Sequence, residues 1–196
     1  NVIAGGVAID QFGKPLPQEQ LDICLNSDAA LLGAVGGPKW DNLPSEIRPE
    51  KALLGLRGGM KVFANLRPAV MWKQLKDACP LKDEIVGDGL DILIVRELTG
   101  GIYFGERGTS EDQNTAWDTE KYTRPEVERI IRMGFEYAQK RQKRLCVVDK
   151  ANILNSSQLW RRVAEDVKGD YPDVTLSYMY TCNDFIIIYN YLFNVY

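Results

Sequence analysis

Histidine is absent from all 196 residues. Within this chain that excludes a Ser-His-Asp triad, a Cys-His pair, a histidine general base and a histidine-ligated metal. Proton transfer, if the chain carries any, has to use Lys, Tyr, Asp, Glu or Cys. Cysteine is sparse: Cys24, Cys79, Cys146 and Cys182 are scattered and form no C-x-x-C pair. Neither a zinc site nor a thioredoxin-type motif is indicated, and the four read as reduced thiols of a cytoplasmic protein. No apolar run is long enough to span a bilayer, so no membrane partner is expected. The opening Asn1-Val2-Ile3-Ala4-Gly5-Gly6 has no initiator Met and no charged region followed by an apolar core, so it is not a signal peptide. The first Met is Met60, and the chain is expected to begin inside a longer one. Basic charge is not in excess: 24 Lys and Arg stand against 27 Asp and Glu, a net charge of −3, so no nucleic-acid partner is expected. A G-x-G-x-x-G motif, a Walker motif, internal repeats and low-complexity linkers are all missing.

What is present is the alternation of an α/β chain, with short apolar runs between helical patterns. Gln18 to Asn26 reads as a short helix after Pro17. Ala29 to Val35 reads as a strand feeding the turn Gly36-Gly37-Pro38. Lys61 to Leu66 and Asp91 to Val95 read as further strands, the second apolar on both faces as a buried central strand would be. Gly105 to Tyr122 is polar and irregular, in keeping with an exposed arm. A helix is expected from about Pro125 to Arg144, with Val127, Ile130, Ile131, Gly134, Phe135 and Ala138 as its apolar face. Its basic end (Lys140, Arg141, Lys143, Arg144) would complement the helix dipole. Leu145 to Val148 reads as a strand, Ser156 to Lys168 as a helix with Leu159, Trp160, Val163, Ala164 and Val167 inward, and Val174 to Tyr180 as a strand.

Three arginines occupy awkward places: Arg57 ends an apolar helical stretch, Arg67 ends the strand Lys61 to Leu66, and Arg96 ends the strand before Glu97. Ligand sites in α/β folds lie outside the carboxyl ends of strands, and Lys150 occupies such an end too. Guanidinium suits forked binding of carboxylates. Each arginine alone is as readily the partner of a nearby acid such as Glu97; together they point to an anionic ligand with more than one carboxylate. A lysine partly desolvated near other cations becomes a usable base near neutral pH. Tyr103, in the glycine-flanked run Gly100-Gly101-Ile102-Tyr103-Phe104-Gly105, is a candidate proton donor, or else a packed aromatic beside Phe104. The residues by themselves do not name the substrate.

Four segments, in order, resemble the 3-isopropylmalate dehydrogenases of the β-decarboxylating dehydrogenase family: Leu31-Leu32-Gly33-Ala34-Val35-Gly36-Gly37-Pro38-Lys39-Trp40-Asp41, Phe63-Ala64-Asn65-Leu66-Arg67-Pro68, Ile94-Val95-Arg96-Glu97-Leu98-Thr99-Gly100-Gly101-Ile102-Tyr103-Phe104-Gly105-Glu106, and Val148-Asp149-Lys150-Ala151-Asn152. The resemblance spans roughly residues 1 to 180. It implies an isocitrate/isopropylmalate dehydrogenase-like α/β fold, incomplete, with a β-arm around residues 100–122. Residues 1–96 would belong to the first α/β domain and 97–182 to a substrate and dimerisation domain, followed by a divergent tail, 183–196. It implies that Arg57, Arg67 and Arg96 hold the malate carboxylates and that Tyr103 and Lys150 are catalytic. Leu53 and Leu54 would contact the isopropyl group, where isocitrate-specific relatives place a hydroxyl-bearing residue. Glu50 with Gly36, Gly37, Pro38, Lys39, Trp40 and Asp41 would contact NAD. The implied reaction is NAD-dependent oxidative decarboxylation of 3-isopropylmalate to 4-methyl-2-oxopentanoate, in leucine biosynthesis, assisted by Mg²⁺ or Mn²⁺. The implied assembly is a homodimer in which the lysine serves the partner's site.

The chain departs from the family at both ends. The family's first strand and glycine-rich turn have no counterpart, and the metal-ligating aspartate is replaced by Cys182, a poor ligand for Mg²⁺ or Mn²⁺. The tail from Asn183 to Tyr196, rich in Ile, Tyr, Phe and Asn, replaces the expected continuation. The chain alone is therefore expected to lack turnover. It is either an incomplete dehydrogenase or a non-catalytic remnant or dimerising module; a tartrate or malate specificity is a weaker third reading.

Overall fold

The structure is a computed structural model that describes residues 1–79, 82–87 and 89–181. Cys182 and the tail 183–196 lie outside the described residues. Packing divides the chain into two compact units, Asn1–Phe63 and Ala64–Tyr196.

The first unit is helical. Helices α1 (Gly6–Phe12), α2 (Gln18–Leu25) and α3 (Glu50–Gly59) are joined by a long loop with single turns at Pro38–Trp40 and Ser45–Ile47. Pro17 precedes α2 in the extended conformation that ends one segment and starts the next. Helix α3 buries Ala52 and Leu56, one turn apart, and Leu16 and Leu21 press against its Gly55 and Gly59. The strand expected at Ala29–Val35 does not form: residues 29–37 are irregular and Leu31 is fully exposed. A strand is defined by a paired neighbour, and the three two-stranded sheets among the described residues offer this run none. Its last carbonyl, that of Val35, instead accepts the Gly6 amide at 2.8 Å.

The second unit begins with β1 (Ala64–Val70), antiparallel to β2 (Asp91–Glu97), with the four-residue helix α4 (Asp83–Val86) between them. Strand β1 starts three residues later than the sequence suggests. Lys61 takes a left-handed φ of 53° and the Val62 amide closes onto the Arg57 carbonyl at 3.2 Å, so residues 61 and 62 terminate α3 rather than opening a strand. Nor is β2 buried on both faces. Leu93 and Val95 face inward, while Ile92 and Ile94 are about half exposed, because helix α5 covers only one side. The polar stretch after Gly105 does form an arm, a hairpin of β3 (Arg107–Thr109) and β4 (Ala116–Asp118).

Helix α5 (Arg124–Gln139) starts with Pro125 in its first turn, and the Glu126 carboxylate accepts the Thr123 amide and hydroxyl at 2.7 Å each. All six residues of the expected apolar face are buried. The helix stops at Gln139, short of Arg144. The basic residues beyond it do not cap carbonyls: Arg141 binds the Asp91 carboxylate at 2.8 Å, Lys143 binds Asp173 at 3.0 Å, and Arg144 has entered β5. Lys143, with a φ of 55°, makes the reversal that delivers the chain to that strand. Strand β5 (Arg144–Asp149), helix α6 (Asn155–Lys168) and strand β6 (Thr175–Tyr180) form a βαβ unit with the two strands parallel. Of the expected inward face of α6, Val163, Ala164 and Val167 are buried while Leu159 and Trp160 are only half-buried, and the helix packs against α5. Phe135, fully buried, stacks on Tyr171 at a centroid distance of 4.9 Å.

Candidate active site

In the first unit, helical spacing puts Glu50, Leu53, Leu54 and Arg57 on one stripe of α3, at positions i, i+3, i+4 and i+7, away from buried Ala52 and Leu56. The loop 36–41 meets the top of this stripe. A β-carbon added to Gly36 would lie 3.1 Å from Glu50 Oε1 and 3.5 Å from Pro49, so glycine lets the loop pass close to the head of this stripe. Gly37 is extended, and Pro38–Trp40 form a single turn. The far side of that turn is anchored by Asp10 of α1, a residue that no motif or periodicity marks out. Its carboxylate takes Lys39 Nζ at 2.6 Å and Trp40 Nε1 at 3.2 Å, and these two hydrogen bonds hold its pKa below the ordinary aspartate value. Lys39 and Trp40 thus shape the loop from behind. Asp41 is exposed.

In the second unit, Arg67 and Arg96 lie on one face of the β1–β2 pair. The register sets Arg67 against Ile94 and Asn65 against Arg96, so the two guanidiniums are diagonal neighbours. Arg67 is in the middle of its strand, not at its end, since β1 runs on to Val70. Arg96 is the penultimate residue of β2. Among the described residues, neither of these arginines nor Arg57 takes part in an ion pair. Arg67 Nε only donates to Asn65 Oδ1, at 3.2 Å. Glu97, the acid nearest in sequence, is committed elsewhere. Its buried carboxylate accepts the Thr99 and Gly100 amides at 2.8 and 2.7 Å, the Thr99 hydroxyl at 2.6 Å, and Arg129 of α5 at 3.1 Å.

Glu97 thereby holds the start of the turn that carries Tyr103. The turn is clamped from its other end by the base of the arm. Arg107 donates to the carbonyls of Ile102 and Tyr103, and the Gly101 amide donates to the Lys121 carbonyl at 2.8 Å. Gly101 has a φ of 78°, and a β-carbon there would lie 2.5 Å from the Tyr122 hydroxyl, so both backbone and space require glycine. Tyr122 meets Trp160 of α6 edge to face at 5.4 Å, and burial, helped by Glu120 and Glu97, pushes its phenol pKa up. The outcome is that the exposed Tyr103 ring lies 5.8 Å from the Arg96 guanidinium. Two candidates separated by a Gly-Gly turn are brought together, with Arg67 beside them.

Lys150 follows the last residue of β5, which pairs with β6. Its amide donates to Ser157 Oγ at 3.0 Å, and its carbonyl accepts the amides of Ile153 and Leu154. The neighbouring Asp149 carboxylate is buried and paired with Arg161. Arg107, Arg129, Ser157 and Arg161 escape a reading of the sequence, where they are ordinary polar positions on helices or an arm.

The family described as isocitrate/isopropylmalate dehydrogenase matches residues 1–188. The chain belongs to this family. Among curated proteins, the 3-isopropylmalate dehydrogenase of Clostridium acetobutylicum is 60% identical over 184 residues, covering 93% of this chain and 52% of that protein. That of Pseudomonas putida is 58% identical over 185 residues, covering 92% and 51%. The chain thus spans about half the length of the curated relatives it matches. Among solved structures, an isocitrate dehydrogenase from Methylococcus capsulatus aligns with a TM-score of 0.71 at 27% identity, covering 94% of this chain and 52% of that one. A β-decarboxylating dehydrogenase from Thermococcus kodakarensis aligns with a TM-score of 0.66 at 29% identity, covering 95% and 49%. The isocitrate/isopropylmalate dehydrogenase-like fold expected from the sequence is the one observed. Among the described residues of this family member, no helix is long and apolar enough to cross a membrane. No group of three or more Cys, Asp or Glu among them is placed to hold a metal ion.

Proposed function

We propose that this chain carries the substrate-binding and proton-transfer residues of a 3-isopropylmalate dehydrogenase, an NAD-dependent enzyme of oxidative decarboxylation in leucine biosynthesis. The observation that carries this reading is the face shared by Arg67 and Arg96, with Tyr103 against Arg96. Cations on a strand face, without acidic partners among the described residues, suit a dicarboxylate, and the tyrosine stands where that ligand would be held. Identities of 52–60% to curated 3-isopropylmalate dehydrogenases favour this substrate within the family.

Arg57, Arg67 and Arg96 bind the two carboxylates, and Leu53 and Leu54 meet the isopropyl group. Lys150 takes the proton of the 2-hydroxyl as hydride leaves C2. The carboxylate on C3 then departs as carbon dioxide, its bonding electrons form the enol carbon–carbon bond, and the Tyr103 hydroxyl returns a proton to C3. NAD, when bound, supplies the hydride acceptor; Glu50 and the loop from Gly36 to Asp41 would hold it. The described residues supply no set of ligands for Mg²⁺ or Mn²⁺. Residues 1–96 belong, in this proposal, to the first α/β domain and 97–182 to the substrate and dimerisation domain. Lys150 follows β5, outside the β1–β2 pair that carries Arg67 and Arg96, and in this proposal it serves the partner's site of a homodimer.

The test is 3-isopropylmalate-dependent reduction of NAD with Mg²⁺ or Mn²⁺. It is run on the chain alone and on the chain joined to the remaining half of the Clostridium acetobutylicum relative. Activity in the joined protein only is expected. Activity in neither would favour a non-catalytic remnant, and faster turnover of malate or tartrate would overturn the substrate.

A further inference from the structure

Beside Lys150 lies a group of side chains that the proposed chemistry does not use. The Asp149 carboxylate, 3% exposed, receives Arg161 Nε at 2.7 Å and Nη2 at 3.0 Å, a two-point fork. The guanidinium lies 4.8 Å from the centroid of the Tyr178 ring and 4.7 Å from that of Tyr180. The parallel register sets those rings opposite Val147 and Asp149, so they belong to the same sheet face as the carboxylate. The Tyr178 hydroxyl is tied in turn to Glu165 at 2.7 Å.

A buried ion pair is weak evidence of stabilisation, because desolvation offsets much of the attraction. Its geometry says more. Asp149 Oδ1 also accepts the Ala151 amide at 2.9 Å. The carboxylate therefore bridges over Lys150, fixing the residues on both sides of it. The Lys150 amide is held by Ser157 and its carbonyl by two amides of the following turn. The Lys150 backbone is thus determined from every direction, and Arg161 determines Asp149.

We propose that Arg161 is a positioning residue for Lys150. Clamped between Tyr178 and Tyr180, it locks Asp149 so that the chain leaves β5 in one direction and presents the lysine in one orientation. The proposal rests on the reading of Lys150 as the group that takes the hydroxyl proton. Misplacing a proton acceptor by an ångström slows the step it serves and leaves carboxylate binding, carried by the arginines of α3, β1 and β2, largely untouched.

The test uses the joined protein described above and four variants: R161Q, R161K, K150M and the double variant. R161Q is expected to lower kcat by about 10- to 100-fold, with the KM for 3-isopropylmalate changed by less than about threefold. R161K keeps the charge but not the fork, and should recover only part of the rate. If Arg161 acts through Lys150, R161Q adds no further loss to K150M. A parental kcat in R161Q or R161K overturns the proposal. So does an R161Q loss that is as large in the K150M background as in the parent, since Arg161 would then be acting on the fold at large. A parental kcat in K150M sinks the assignment of the proton acceptor itself, a separate result from failure of the positioning role.

Discussion

Arg96 and Glu97 are neighbours in sequence and opposites in environment. Strand alternation turns the glutamate inward to Arg129 and the turn amides, and leaves the arginine outward beside Tyr103. A forked cation in that position is not replaced by an ammonium. Arg96→Lys should raise the KM for 3-isopropylmalate by about 10- to 100-fold, with a smaller change in kcat, as steady-state kinetics on the joined protein would show. A residue-scale pH effect belongs to the arm. The Asp112 carboxylate at its tip accepts the Ser110 hydroxyl and the side chain and backbone of Asn114, which lower its pKa from 3.8 to about 2. Because the folded-state value is depressed, the ordering of the tip is complete above pH 3.8 and is lost as pH falls through about 2. The carboxyl carbon shift of Asp112, followed by NMR from pH 5 downward, should titrate near the lower value, and titration near 4 would contradict the hydrogen-bonded tip.

At the scale of elements, helix α5 organises the second unit. It packs on α6, on β2 and on β5, and Phe135 is the largest fully buried side chain among the described residues. Phe135→Ala removes a ring from a filled space and from its stack on Tyr171, and should cost about 3–5 kcal/mol. Thermal or urea unfolding of the joined protein would measure it; a loss under about 1 kcal/mol would mean that the core closes over the gap. The buried face of α5 is legible in full in the amino-acid order, because the 3.6-residue period of Val127 to Ala138 leaves one way to bury those residues. The end of the helix is not. Lys140 to Arg144 carry helix-forming side chains, yet the helix stops at Gln139, Asp91 and Asp173 draw Arg141 and Lys143 into ion pairs, and the left-handed residue Lys143 turns the chain into β5.

At the scale of the whole molecule, Tyr103 lies in the turn after β2 and Lys150 just beyond β5, and the proposed homodimer makes a prediction about how they pair. If each site draws its lysine from the partner, a mixture of K150M and Y103F proteins should regain activity that neither has alone. The heterodimer then holds one intact site in two. Random pairing should recover about a quarter of the parental rate. No recovery after dissociation and reassociation would place both residues in the same protomer's site.

Fold class, the buried faces of the helices and the identity of the candidate site residues are all written in the order of the amino acids. Periodicity sets which side of a helix is buried, and the four matched segments bring their arginines, tyrosine and lysine with them. Which charges are spent inside the protein, and which are left for a ligand, is settled only on folding. Glu97 is taken by Arg129, thirty-two residues on, and Asp149 by Arg161, twelve residues on. Such pairings are set by how helices cross strands, and nothing in local sequence encodes that crossing. The same holds for strands: β1 is a strand because β2 lies beside it, whereas residues 29–35, no less apolar, have no strand beside them among the described residues and stay irregular. A strand's backbone is satisfied only by a partner, and a partner is a property of the folded molecule.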